Sequence, residues 1–265
     1  MEKINIGRLF HLMKIDVQEN KKSYLQVMGY FYVACLLVEI GFCFLDKSGS
    51  VTERGMAVFL IICLGILLLG MMSMFRKPVS TKAKSVTYLT LPATNMEKFL
   101  SRFLILTLGW FLVALLVVVF ADVTRLLIQE TFIVQKPSAI SEFMKNVFGG
   151  YGSVFTGLYT LMFFKKFLWF HSLYLLGGCC FSTHAGIKTT AIIGIATALF
   201  SRLSFWLFTK YPLGQSIESY ISDNNLIILS TIFFFVWTVL NYLLAYRYFV
   251  RIQIVEYKGY KKFHL

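Results

Sequence analysis

Long apolar runs alternate with short polar stretches along this chain. Six runs, roughly residues 24–45, 56–75, 101–121, 163–183, 189–208 and 225–247, are long enough to cross a hydrocarbon layer. A core of ~30 Å needs ~20 residues at ~1.5 Å rise, and backbone polar groups inside it must be satisfied within the segment, so each run predicts an α-helix. All four prolines (Pro78, Pro92, Pro137, Pro212) fall between the runs. There the missing N–H and the ring clash interrupt nothing. The pattern predicts an all-α polytopic membrane protein, with residues 1–265 forming one transmembrane domain.

Two segments follow other rhythms. In residues 1–23, Ile6, Leu9, Phe10, Met13 and Val17 recur at steps of three and four, while Arg8, His11, Gln18 and Lys22 point elsewhere. Leu12 and Ile15 fit this stripe less well. It predicts an amphipathic helix lying on the inner membrane surface. Between the third and fourth runs, an external segment over 122–162 leads into YGSVFTGLYTLMFF, just before Lys165 and Lys166. Those fourteen residues are too few to span, so length favours a re-entrant or interfacial helix.

Composition excludes an ordinary soluble domain, since 57% of the residues are apolar and only 15% charged. A net charge of +13 would suggest nucleic acid for a soluble protein, but in a membrane chain it reads first as topology, because short basic loops stay on the cytoplasmic side. Five Lys/Arg precede the first run, six lie between Arg76 and Arg102, Lys188 follows the fourth run, and five lie between Arg247 and Lys262. Both termini are therefore expected in the cytoplasm, the second as a basic tail over 248–265. A charged segment of about twenty residues precedes the first run and no cleavage pattern follows it, so that run is expected to stay as an anchor.

Tyr30, Trp110, Trp169, Trp206, Tyr242, Tyr246 and Tyr248 form no stacking platform by spacing, and several fall near run ends, where aromatic belts are ordinary. No nucleic-acid partner is expected. Cys35, Cys43, Cys63, Cys179 and Cys180 all sit in apolar runs. They predict small hydrophobes, with neither a disulfide nor a metal site.

The connector between the second and third runs, residues 76–100, is polar, basic and broken twice by proline. Lys82 and Lys84 are expected to face water, and Tyr88, Leu89 and Leu91 to form an exposed apolar face. Thr94 and Glu97 stand at capping-box spacing, where each side chain can satisfy a backbone N–H at the mouth of the third helix. Such an elbow could pass a push from a soluble partner into the bilayer.

The phrase YLTLPATNMEKFLSRFL resembles the connector of type-2 ATP-binding-cassette transporter permeases. RLFHLMKIDVQENKKSYL is similar to their amphipathic connecting helix, and SLYLLGGCCFSTHAGIKTT to the inner end of their fourth span. The family's external hairpin between spans five and six is short here, about sixteen residues from Thr209 to Asn224. The resemblance implies a bacterial export-type membrane subunit in the cytoplasmic membrane. It also implies a second permease subunit, identical or related, and cytoplasmic ABC ATPase subunits that carry ATP and Mg. Lys82, Lys84, Tyr88, Leu91, Pro92, Thr94 and Glu97 would then couple to the ATPase.

Four polar residues lie inside runs: Glu39, His171, Arg202 and Asn241. Polar groups there are costly and tend to face an interior or a water-filled path, which makes these four the candidate substrate pathway. Each has a plainer reading. Glu39 and Arg202 are near run ends and can snorkel, His171 can be a hydrogen-bonded packing residue, and Asn241 can bond across helices. Gly194 and Ala198 make a small-xxx-small pair that suits close helix packing.

No Gly-Lys dipeptide occurs, so the phosphate-cradling loop of an ATPase is missing. H-E-x-x-H and G-x-S-x-G are missing as well. The expectation is a permease without its own ATPase, catalytic residues, cofactor or metal. Two other classes fit the same sequence: a lipid-modifying membrane enzyme using His171 and Glu39, and a scaffold that transports nothing.

Overall fold

The computed structural model describes residues 4–45, 65–67, 69–76, 88, 90–129, 138, 140, 141, 157–181, 183–210 and 223–261. Among them every regular element is helical. The chain divides into two compact units, Met1–Met71 with Leu91–Leu161, and Met72–Thr90 with Met162–Leu265.

In the first unit, α1 runs without a break over Ile6–Leu45. Asn5 starts it, its side-chain oxygen accepting the N–H groups of Gly7 at 2.9 Å and Arg8 at 3.3 Å. The stretch expected as a separate surface helix is thus the first part of one 40-residue rod, since nothing between Asp16 and Ser23 is a helix breaker. Its buried face also differs from the apolar stripe. Leu9, Leu12, Asp16 and Asn20 are buried, whereas Ile6, Phe10 and Val17 are exposed.

The partner of α1 is a second long helical run. It begins as α2, Asn95–Leu104, passes through a π-helical turn at Ile105–Gly109, and continues as α3, Trp110–Gln129. Residues 122–129, expected to belong to the external segment, are instead the last turns of α3. Asp16 faces Arg102, the Tyr24 ring meets Trp110 edge-on at 5.6 Å, and Tyr32 donates to Thr124 at 2.9 Å. Rising numbers meet rising numbers, so α1 and the α2–α3 run lie parallel.

The second unit contains α4 (Gly157–Cys180) from Met162 onward, α5 (Ala185–Lys210) and α6 (Asp223–Lys261). Residues 157–164, part of the stretch expected as a re-entrant helix, are here the first turns of α4. Lysine is a good helix former, so Lys165 and Lys166 do not end it. The Lys165 ammonium donates to the Ser230 hydroxyl at 2.7 Å and lies 5.6 Å from the Phe234 ring centre. Helix α4 runs parallel to α6, as Lys165 meets Ser230 and Ser172 meets Asn241. It turns back into α5 through Thr183 and His184, the latter at φ 51°. The return is tight: a Cβ on Gly177 would stand 1.9 Å from the Thr189 hydroxyl oxygen. On Gly178 it would stand 2.1 Å from the Met72 carbonyl oxygen.

Among the described residues, four helices are long and apolar enough to cross a membrane: Ile6–Gly41, Asn95–Ile128, Ala185–Leu203 and Ile228–Arg251. Much of the second expected run, 56–75, lies outside the described residues, as do Lys82, Lys84 and Leu89.

Candidate functional site

The polar residues of the first unit form two clusters between α1 and the α2–α3 run. At the lower-numbered ends, Thr94 caps α2. Its hydroxyl accepts the Glu97 N–H at 3.1 Å, and Glu97 Oε2 accepts the Thr94 N–H at 2.9 Å. The capping box expected from T-x-x-E spacing is present. The other oxygen of Glu97 reaches α1, accepting the Asn5 N–H at 2.8 Å and an Arg8 guanidinium N–H at 3.0 Å. One carboxylate therefore joins the starts of two helices.

About three turns along α1 from Asn5, Asp16 pairs with Arg102, and both are buried. Asp16 also accepts from the Asn20 amide at 2.9 Å and the Tyr24 hydroxyl at 3.1 Å. A buried ion pair becomes tolerable when its remaining lone pairs and protons are satisfied in this way.

The second cluster holds Glu39, Asp122 and Arg125, all buried. Arg125 donates to Asp122 Oδ1 from Nη2 at 2.8 Å and from Nε at 3.2 Å. Asp122 Oδ2 accepts the Ser138 hydroxyl and, at 3.4 Å, the Ile140 N–H. Glu39 Oε2 stands 3.7 Å from Arg125 Nε. Twenty-three residues separate Asp16 from Glu39 and likewise Arg102 from Arg125. Equal rise on parallel helices accounts for the match.

That common register sets the depth. It brings residues 23–43 of α1, its apolar end, level with residues 109–129 of the partner run. The Glu39 cluster then falls within the shared apolar length, and Asp16–Arg102 and Glu97 fall before it. Outside that length, the N–H groups of Asn5 and then Thr94 hold the Glu97 carboxyl below the usual carboxylate range, against the opposing effect of burial, with Arg8 adding to them.

The second unit has its own polar contacts. His171, 2% exposed, meets the Tyr242 hydroxyl through Nδ1 at 2.8 Å. The Asn241 amide donates to the Ser172 hydroxyl at 3.1 Å, and that hydroxyl donates to the Trp169 carbonyl at 2.7 Å. These bonds join α4 to α6.

The candidate pathway residues are thus divided. Glu39 faces Arg125 within the first unit. His171 and Asn241 occupy adjoining positions on one helix interface of the second. Arg202 is exposed on α5. Of the connector residues, Pro92 is exposed and Leu91 half-buried, but Tyr88 is only 8% exposed, contrary to the exposed face expected of it. Its ring has found cover within the protein. Asp16, Arg102, Asp122 and Arg125 were not singled out from the sequence. The visible signal was the equal spacing of two acids on one helix and two bases on another.

No known protein family, curated protein or solved structure matches this chain.

Proposed function

We propose that the chain is the permease subunit of an ATP-driven exporter in a bacterial inner membrane, with both termini in the cytoplasm. Six spans from this chain and six from an identical or related one enclose the pathway, and separate ATPase subunits dock on the 76–102 connector. The observation that carries this reading is the Glu97 junction, which fastens the connector's capped end to the start of α1. A push on the connector is therefore delivered to two membrane-length helices together.

The parallel helix pairs support the span count. Helices crossing in the same direction need an odd number of crossings between them. Helix α5 supplies one between α4 and α6, and the apolar run expected at 56–75 would supply one between α1 and α2. With Tyr88 buried, the docking edge falls to the exposed Pro92, Asn95 and Met96.

The test is copurification of the chain with a cytoplasmic ATPase subunit from the cells that produce it. Reversing Lys82 and Lys84 to Glu should reduce ATPase recovery and ATP-driven transport together. Full recovery and transport with both charges reversed would remove these lysines from the coupling role. A chain that never retains an ATPase would overturn the permease reading.

A further inference from the structure

Glu39 is 1% exposed, and neither of its carboxyl oxygens has a hydrogen-bond partner. The Arg125 Nε is 3.7 Å away, beyond hydrogen-bond range. Arg125 is turned toward Asp122, donating to it twice, and the other Asp122 oxygen is met by Ser138 and Ile140. The charged groups facing Glu39 among the described residues are Asp122 on α3, which repels its charge, and Arg125, which attracts it. Two acids thus share one base, and Asp122 holds the better claim on it. Nearby, Cys35, Val118 and Ala121 pack with Phe31, Tyr32 and Ile140 into an apolar wall.

An ionised carboxylate taken out of water without donors costs several kcal/mol, and such a group is normally neutralised instead. Full charge on Glu39 would leave the cluster one negative charge in excess within the apolar length. A proton removes that excess and needs no space, coordination shell or further ligand.

We propose that Glu39 is a proton-binding site within the membrane-spanning part of the protein. The carboxyl is the neutral acid while α1 and α3 are packed, and it releases its proton to water when that contact opens. Binding forms one O–H bond on a Glu39 oxygen with a proton taken from water, and opening reverses it. The site stands on the α1–α3 geometry and does not depend on the permease reading.

The experiment is infrared spectroscopy of the full-length protein in lipid nanodiscs at neutral pH, with glutamate carrying a carbon-13 carboxyl. The expected result is a protonated-carboxyl C=O band that shifts with the label and disappears in Glu39→Gln. Should that variant not fold, Glu39→Asp provides the second reading, with the band now following labelled aspartate. Only carboxylate bands in the wild type would overturn the proposal. So would a thermal midpoint raised by sodium chloride and not by choline chloride without a protonated band, because that outcome assigns the site to a metal cation.

Discussion

Gly177 and Gly178 occupy one place where two neighbouring segments come too close for any side chain. The atom that a Cβ on Gly178 would strike belongs to the backbone of Met72, which cannot swing aside as a flexible side chain can. Gly178→Ala is therefore expected to lower the thermal midpoint of the purified protein sharply or to prevent its recovery. Gly194 has open space around it, so Gly194→Ala should be neutral or stabilising by up to ~1 kcal/mol through helix propensity. Equal losses at both positions would show that the packing at Gly178 has been misread. Asp16 and Arg102 make the corresponding case for charge. Asp16→Ala leaves Arg102 buried without its acid and should cost about 3–5 kcal/mol. Joint replacement of both by Leu and Met should cost much less, and the comparison is a double-mutant cycle on thermal or denaturant unfolding.

Among the elements, α2 is the one whose beginning is written locally. Thr94→Ala removes one acceptor from its first turn and should cost about 1 kcal/mol. The specific readout is faster amide hydrogen exchange in Asn95–Lys98 with α3 unchanged. Glu97 makes the same turn sensitive to acid. Its carboxyl is held below the usual range by the Asn5 and Thr94 N–H groups, so the stabilisation is present at neutral pH and is lost as pH falls through the native value. Wild-type exchange in this turn should rise on acidification, and Glu97→Gln should flatten that rise. Helix α1 shows why an element's length can mislead about its role: its start is polar enough for a surface helix, but the contacts of Asn5, Arg8 and Asp16 bind it to the neighbouring run.

For the molecule as a whole, the parallel register of α1 with the α2–α3 run is the main constraint on how the first unit can move. Contacts at Asn5, Asp16, Tyr24, Tyr32 and Glu39 tie one rod to the other along most of its length. A force applied at Glu97 should then displace both helices as one body. The register predicts that Cys35 lies opposite Ala121, and the two residues do pack together. In a variant with Cys43, Cys63, Cys179 and Cys180 replaced by serine, Ala121→Cys should form an intrachain disulfide with Cys35 on mild oxidation, read by mass spectrometry. Linkage of Cys35 only to cysteines placed near Leu104 would mean that the helices run in opposite directions.

The apolar runs determined by themselves that this chain is helical and suited to a membrane, because length and continuous hydrophobicity are properties of each segment alone. The capping box was legible for the same reason, as Thr94 and Glu97 are three residues apart and their bonds close within one turn. Tertiary structure decided what each face meets. It chose Leu12 and Asp16 over the Ile6, Phe10 and Val17 stripe, buried Tyr88, and set Glu39 beside the Arg125–Asp122 pair. Periodicity reveals which residues share a face, but lipid and protein interior are equally apolar, so hydrophobicity cannot say which of the two will cover it.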